Sequence, residues 1–105
     1  MEVIKPEAMQ GQKNRRGITA KQLLKKESAQ VNQLHLEPGD EIPPHAVPVD
    51  VFFYVVAGEG TLCIGDQEAV VKQGELIPCP RGVDMSLQAD QHEEFVVLNV
   101  KTPSL

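Results

Sequence analysis

Short apolar runs separated by turn residues dominate the pattern of this chain. Val31, Leu34 and Leu36 stand between polar side chains, which indicates a strand with one buried face. The run 49–56 is almost entirely β-branched or aromatic, as in a strand that is buried on both faces or covered on one face by a second subunit. Glycine and proline turns recur at short intervals, and no segment shows a convincing long helical period. The pattern therefore predicts an all-β sandwich or barrel.

Two segments carry sharper predictions. Gly58-Glu59-Gly60 predicts the tight turn of a hairpin, with residues 61–64 as the return strand. Residues 18–26 fit either a short helix capped by Thr19 or a strand. Because strands dominate the sequence that follows, we interpret this segment as a strand.

The first 17 residues are polar and are interrupted by one proline and two glycines. We predict an extended N-terminal arm over residues 1–17, which would pair with the sheet edge of a partner subunit, and one barrel domain over residues 18–105. The basic cluster 13–16 lies in this arm, and we interpret it as a solvated surface.

Composition and charge narrow the classes of function. A net charge of −5 over 105 residues argues against nucleic-acid binding, which needs a basic face to displace counterions. The first residues lack the apolar run of an export signal, and no segment has the ~20 apolar residues that cross a bilayer. Cys63 and Cys79 form no CxxC pair and fit two reduced thiols. We therefore predict a cytoplasmic protein with neither a nucleic-acid nor a membrane partner.

Glycines, prolines and one histidine recur at spacings that resemble the two motifs of the small single-domain cupins. The first family motif runs Gly, five residues, His-x-His, three or four residues, Glu, six residues, Gly. This chain keeps that frame with Gly39, His45, Val47, Val51 and Gly58. The second motif runs Gly, five residues, Pro-x-Gly, two residues, His, three residues, Asn. This chain keeps that frame with Gly74, Pro80, Gly82, Met85 and Ala89. The resemblance covers roughly residues 18–101 and implies the cupin double-stranded β-helix, a jelly-roll-like barrel.

The metal ligands of the family are not reproduced in this frame. Metal-binding cupins hold the ion with two histidines and a glutamate from the first motif and a histidine from the second, and only His45 matches among these positions. A divalent ion needs three or four correctly placed donors. We therefore predict no cofactor. If a transition metal does bind, the weak candidate ligands are His45, Asp50, Cys79 and Met85, and Asp50 would need a β-bulge to turn inward.

The same frame assigns a ligand pocket. Positions 45, 47 and 51 share parity along one predicted strand, so their side chains would line one interior wall. The predicted ligand pocket consists of His45, Val47, Val51, Phe53 and Met85. We interpret it as an apolar pocket that binds a small organic ligand, with His45 as its polar anchor.

Two alternatives remain open. One is an atypical metal-dependent oxygenase, isomerase or decarboxylase that combines His45 with one or more of the other weak candidate ligands. The other uses His45 as a general acid or base without a metal. Under every alternative the outward row Phe52, Tyr54 and Val56 predicts a homodimer, because these side chains are too apolar to face water comfortably.

Overall fold

The computed structural model describes all 105 residues, and nearly every element in it is a β-strand. The single helical element is a 3-10 turn at Pro6–Ala8. The strands are β1 (Gln12–Lys13), β2 (Thr19–Lys25), β3 (Gln30–Leu36), β4 (Glu41–His45), β5 (Asp50–Ile64), β6 (Gln67–Lys72), β7 (Leu76–Cys79), β8 (Met85–Ala89) and β9 (Phe95–Thr102). No helix is long or apolar enough to cross a bilayer.

The strands pair antiparallel throughout and form one sheet that curls until two halves face each other. One half has the order β1-β2-β3-β9-β5-β7, and the other has the order β4-β8-β5-β6. Strand β5 belongs to both halves. The interpretation of residues 18–26 as a strand is confirmed, because β2 pairs along its length with β3.

The core fills the space between the two halves. Its largest fully buried side chains are Ile18, Leu36, Phe53, Val55, Met85, Phe95 and Val97. They come from both halves, which is what closes the curled sheet: each half buries the apolar face of the other. Burying apolar surface contributes roughly 25 cal/mol per Å², and this is the main term that stabilises such a barrel.

Strand β5 runs unbroken through the glycines at which we predicted a turn, so the hairpin at Gly58–Gly60 is wrong. Gly58 has φ +79°, and a Cβ there would clash with the carbonyl oxygen of Glu94. A Cβ on Gly60 would lie 2.6 Å from Phe95 Cγ and 2.7 Å from the carbonyl oxygen of Gln88. The glycines therefore let β5 bend closely over the start of β9 and pass from one half of the sheet to the other.

His45 is the last residue of β4, and residues 46–49 form a loop before β5 begins at Asp50. The prediction that positions 45, 47 and 51 lie on one strand is wrong, and side-chain alternation does not continue through a loop. The register instead places His45 opposite Met85 on the neighbouring strand β8.

The arm folds back onto its own chain. Strand β1 pairs with β2, with Gln12 opposite Ala20 and Lys13 opposite Thr19. The final residues of the arm thus cover a sheet edge of this chain, which differs from the expected pairing with the edge of a partner subunit.

Candidate functional site

A cavity of about 130 Å³ lies between the two halves of the sheet, beside the end of β4 and beneath the end of the arm. Its apolar lining consists of Leu34, Ile42, Phe53 and Leu87. Its polar lining consists of Asn14, Arg16, Asn32, His45, Asn99 and Lys101. Most of the barrel interior is apolar, so this concentration of polar side chains marks the cavity as the candidate site.

The polar residues of β3 and β9 reach the cavity because the two strands are paired in register. Asn32 lies opposite Asn99, and Gln30 lies opposite Lys101. Because side chains alternate between faces, these residues share the inner face of the sheet with Leu36 and Phe95, which form the next part of the core. The inner face therefore changes from apolar to polar along the same two strands.

Lys101 is the most perturbed cation of the site. Its Nζ donates a hydrogen bond of 2.6 Å to Oδ1 of Asn99, and Asn99 is only 5% exposed. Burial and, to a smaller extent, the charge of Lys25 lower the pKa of Lys101 from its ordinary value of 10.5. The Lys101 ammonium forms no salt bridge with any carboxylate. It is therefore a partly desolvated cation whose only charge-stabilising contact is an amide oxygen.

A compact loop places Arg16 at the cavity. Oδ1 of Asn14 accepts hydrogen bonds from the backbone N–H groups of Arg16, at 2.9 Å, and Ile18, at 3.1 Å. The Asn14 N–H donates to the carbonyl of Ile18, and Ile18 is buried in the core at 1% exposure. The loop is thus fastened to the barrel on both sides. All four residues of the basic cluster are exposed, as we predicted, and two of them, Asn14 and Arg16, also line the cavity.

His45 is half-buried, and its ring is oriented by its own strand. Nδ1 lies 3.1 Å from the carbonyl oxygen of Pro43. Because a carbonyl oxygen can only accept, Nδ1 must carry the proton in this contact, and Nε2 is the ring nitrogen left for a ligand. Neutral His45 offers a lone pair there, and protonated His45 offers an N–H.

The structure brings two of the five predicted pocket residues to this cavity, His45 and Phe53. Val51 and Met85 are buried in the core, and Val47 packs against it. None of these three lines the 130 Å³ cavity. Their assignment to a ligand pocket stays a prediction.

The donors present do not fit the metal site of the motif. No three His, Cys, Asp or Glu side chains cluster anywhere in the chain, so His45, Asp50 and Cys79 do not converge. Asp50 stays on the outside, without the bulge that would turn it inward, and binds Arg81 at 3.4 Å. The Cys79 thiol lies near the carbonyls of Pro80 and Val83, and burial raises its pKa, which disfavours the thiolate that binds metals.

Sequence reasoning missed most of the polar lining. Asn99 and Lys101 had a usable signal, since both share the parity of Phe95 and Val97, which places them on the inner face of an apolar strand. Asn32 shares the parity of Leu34 and Leu36 in the same way. Asn14 and Arg16 had no such signal, because a loop carries no alternation.

A wider cleft of about 760 Å³ lies between the edge strands β6 and β7. Aliphatic side chains and prolines form most of its lining, and its titratable residues are Asp66 and Glu68. It contains no histidine, cysteine or cation. The smaller cavity at His45 therefore holds the chemically richer set of side chains.

Comparisons with known proteins agree with the β-barrel fold of the structure. A family model described as "Cupin domain" matches residues 32–101. MJ0764, an uncharacterised protein of Methanocaldococcus jannaschii, is 34% identical over 79 residues, which cover 71% of this chain and 68% of that protein. The crystal structure of MJ0764, an RmlC-like cupin with a double-stranded β-helix, superposes with a TM-score of 0.78 at 24% identity, covering 98% of this chain and 91% of that one.

Two further structures share the fold at lower identity. KdgF from a Halomonas species has a TM-score of 0.91 at 16% identity and covers 100% of this chain and 96% of its own. The polyketide cyclase RemF from Streptomyces resistomycificus has a TM-score of 0.87 at 20% identity, covering 97% of this chain and 79% of its own. At such identities the superpositions show the fold alone. The family match, however, spans more than half of the sequence, and this chain belongs to the cupin family.

Proposed function

We propose that this protein binds a small organic molecule in the cavity at His45, and that it does so without the metal site of the cupin motifs. The observation that supports the proposal is the lining itself. Four apolar side chains, including Phe53, and six polar ones, including His45, line the same cavity. In ligand sites the apolar side chains supply contact area and the polar groups fix the orientation of the ligand.

The volume of the cavity limits the size of the ligand. A buried cavity of roughly 150 Å³ is known to hold a benzene molecule. At about 130 Å³ this partly open cavity suits a ligand of about five or six non-hydrogen atoms.

A fragment screen tests this proposal. We expect neutral and charged fragments of about this size to shift the ¹⁵N resonances of residues around His45 in the full chain. His45→Ala should weaken the best fragment about five- to tenfold, the effect of one lost hydrogen bond. His92→Ala is the matched control, because His92 lies in an exposed loop. Shifts confined to the cleft between β6 and β7, or no shifts at all, would contradict the proposal.

Elemental analysis of the purified protein tests the metal-free part of the proposal. We expect no transition metal in stoichiometric amount, because the motif positions supply one ligand, His45, where the family uses four. A stoichiometric metal that disappears in His45→Ala would refute this part and would favour the alternative, a metal-dependent enzyme.

We also propose that the protein forms a homodimer through the outer face of the larger half-sheet. In this face Leu76, Tyr54 and Leu98 lie side by side across three strands. Leu76 is 56% exposed and Tyr54 is 38% exposed. A contiguous apolar face of this kind suits burial against a second copy of itself. A monomeric mass in solution for the wild-type chain would contradict the proposal, and Tyr54→Lys should shift a dimer towards monomer.

A further inference from the structure

The charges around the cavity are all of one sign. The chain has 15 Asp and Glu residues and a net charge of −5, yet no carboxylate lines the cavity. The charged residues that do line it are Arg16 and Lys101. Neither side chain takes part in a salt bridge. In an acidic protein, two unpaired cations at one cavity leave a local excess of positive charge that an anion would neutralise.

Hydrogen bonding within the protein leaves mainly donors free in this cavity. Oδ1 of Asn14 is occupied by two backbone N–H groups, and Oδ1 of Asn99 is occupied by the Lys101 ammonium. The donors left for a ligand are the amino groups of both amides, the remaining protons of Lys101 and the guanidinium of Arg16. The free acceptors are fewer: the amide oxygen of Asn32 and, in the neutral ring, Nε2 of His45. A ligand that offers acceptors and negative charge satisfies this set, whereas a cationic ligand does not.

The burial of Lys101 adds to this preference. The ammonium is partly desolvated and lies close enough to Lys25 for the second positive charge to disfavour it further. An anion in the cavity would offset both effects, because a charge-assisted hydrogen bond to a partly buried cation is stronger than one in water.

The apolar side of the cavity distinguishes an organic anion from an inorganic one. Phe53 and Leu87 belong to the apolar wall of the same cavity that Arg16 and Lys101 line. An inorganic anion would leave this apolar wall against water or empty space. A carboxylate with a short carbon body would cover the wall and still reach the donors.

Building on the binding function proposed above, we propose that the ligand is a small organic carboxylate. Its carboxylate lies between Arg16 and Lys101, and its carbon body packs against Phe53 and Leu87. Lactate, with six non-hydrogen atoms, represents this class in the test, and lactamide is its uncharged counterpart.

The test is a titration of the ¹⁵N-labelled full chain with lactate, lactamide and inorganic phosphate, monitored by NMR. We expect lactate to shift the side-chain amide signals of Asn32 and Asn99 and to bind at least tenfold more tightly than lactamide. Equal binding of lactate and lactamide would overturn the carboxylate proposal while leaving the cavity-binding function intact. Phosphate binding as tightly as lactate would refute the role of the carbon body. If neither these probes nor the fragment screen shifts cavity signals, both proposals fail.

Four variants test the preference of the cavity for a negatively charged ligand. Lys101→Met and Arg16→Gln should each weaken lactate at least tenfold. Arg15→Gln removes the same charge from the neighbouring position, which does not line the cavity, and should change lactate affinity less than twofold. Asn99→Asp adds a carboxylate beside Lys101 and should abolish lactate binding. Equal losses in Arg16→Gln and Arg15→Gln would show a nonspecific charge effect and would overturn the proposal. The amide spectrum of each variant reports whether it is folded.

Discussion

The two ends of the barrel interior are built on the same pair of strands and have opposite character. At one end, which we call the closed end, Leu36 lies opposite Phe95, and neither side chain is exposed. At the other end, which we call the open end, Asn32 lies opposite Asn99, with Lys101 beside them. The backbone is equally regular at both ends, so the difference lies in the side chains alone. The closed end is built for stability, whereas the open end keeps polar groups that an apolar core would exclude.

The closed end should carry the largest effects on stability. We expect Phe95→Ala to lower the free energy of unfolding by about 3–5 kcal/mol, because it removes a fully buried ring and leaves a cavity. Urea unfolding followed by circular dichroism measures this loss. Phe95→Leu, which keeps most of the volume, should lose less than about 1.5 kcal/mol and covers the case in which Phe95→Ala does not fold. Val70→Ala on the exposed side of β6 is the control. A loss below about 1 kcal/mol in Phe95→Ala would contradict the claim that the closed end contributes most to stability.

The bend of β5 should be the next most sensitive point. Gly60→Ala should cost about 1–3 kcal/mol, because its Cβ meets the ring of Phe95 and the backbone of Gln88. Gly74→Ala is the matched control, since Gly74 has φ +90° but no atom within 4 Å of an added Cβ. It should cost about 1 kcal/mol, from the backbone conformation alone. Thermal unfolding of the two variants separates packing from backbone strain, and a Gly74→Ala loss equal to or larger than the Gly60→Ala loss would contradict the packing argument.

A substitution at the open end should change the free energy of unfolding much less than Phe95→Ala does. Lys101→Met should change the free energy of unfolding at neutral pH by less than about 1 kcal/mol, because removal of a partly desolvated ammonium offsets the loss of its hydrogen bond to the buried Oδ1 of Asn99. The pKa of Lys101 is lower in the folded state than its ordinary 10.5, so wild-type stability gains from this residue as the pH rises towards 10.5.

Wild type should therefore gain stability relative to Lys101→Met between pH 7 and pH 10, as measured by urea unfolding at both values. Comparison of the two proteins cancels the opposite effect of Cys79. Its raised pKa makes stability fall as the pH rises above 9.0 in both proteins. A large loss of stability in Lys101→Met at pH 7 would show that the open end also contributes substantially to the free energy of unfolding.

The smallest effect should come from a charge outside the barrel. Hydrogen bonds from the side chain and backbone of Arg81 lower the pKa of the Asp50 carboxyl from its ordinary 3.8. The stabilising contribution is therefore present above pH 3.8 and is lost as the pH falls through the lower folded-state value. Wild type should show a slightly higher Tm than Asp50→Asn at pH 5, and the difference should shrink as the pH is lowered below 3.8. A difference that does not shrink on acidification would refute the assignment to ionised Asp50.

The sequence predicted the frame of the fold well and the site only in part. The spacing of Gly39, His45 and Gly58 identified the cupin barrel through its resemblance to the family motif, and glycines at turns and bends are what keep such a spacing recognisable. The same glycine at 58 was misinterpreted as a hairpin turn. Local residue preferences report that the chain changes direction, but not whether the strand ends or bends into the other half of a sheet.

Fold class, the run of strands and the absence of the motif's ligand set all follow from the sequence, because each depends on residue type at fixed spacing. The tertiary structure decided which side chains share a cavity. Closing the curled sheet brings residues of β3, β9 and β4 to one cavity, which the Asn14 loop completes with Arg16. Residues from distant parts of the chain meet there because the barrel closes, and no local pattern records that contact.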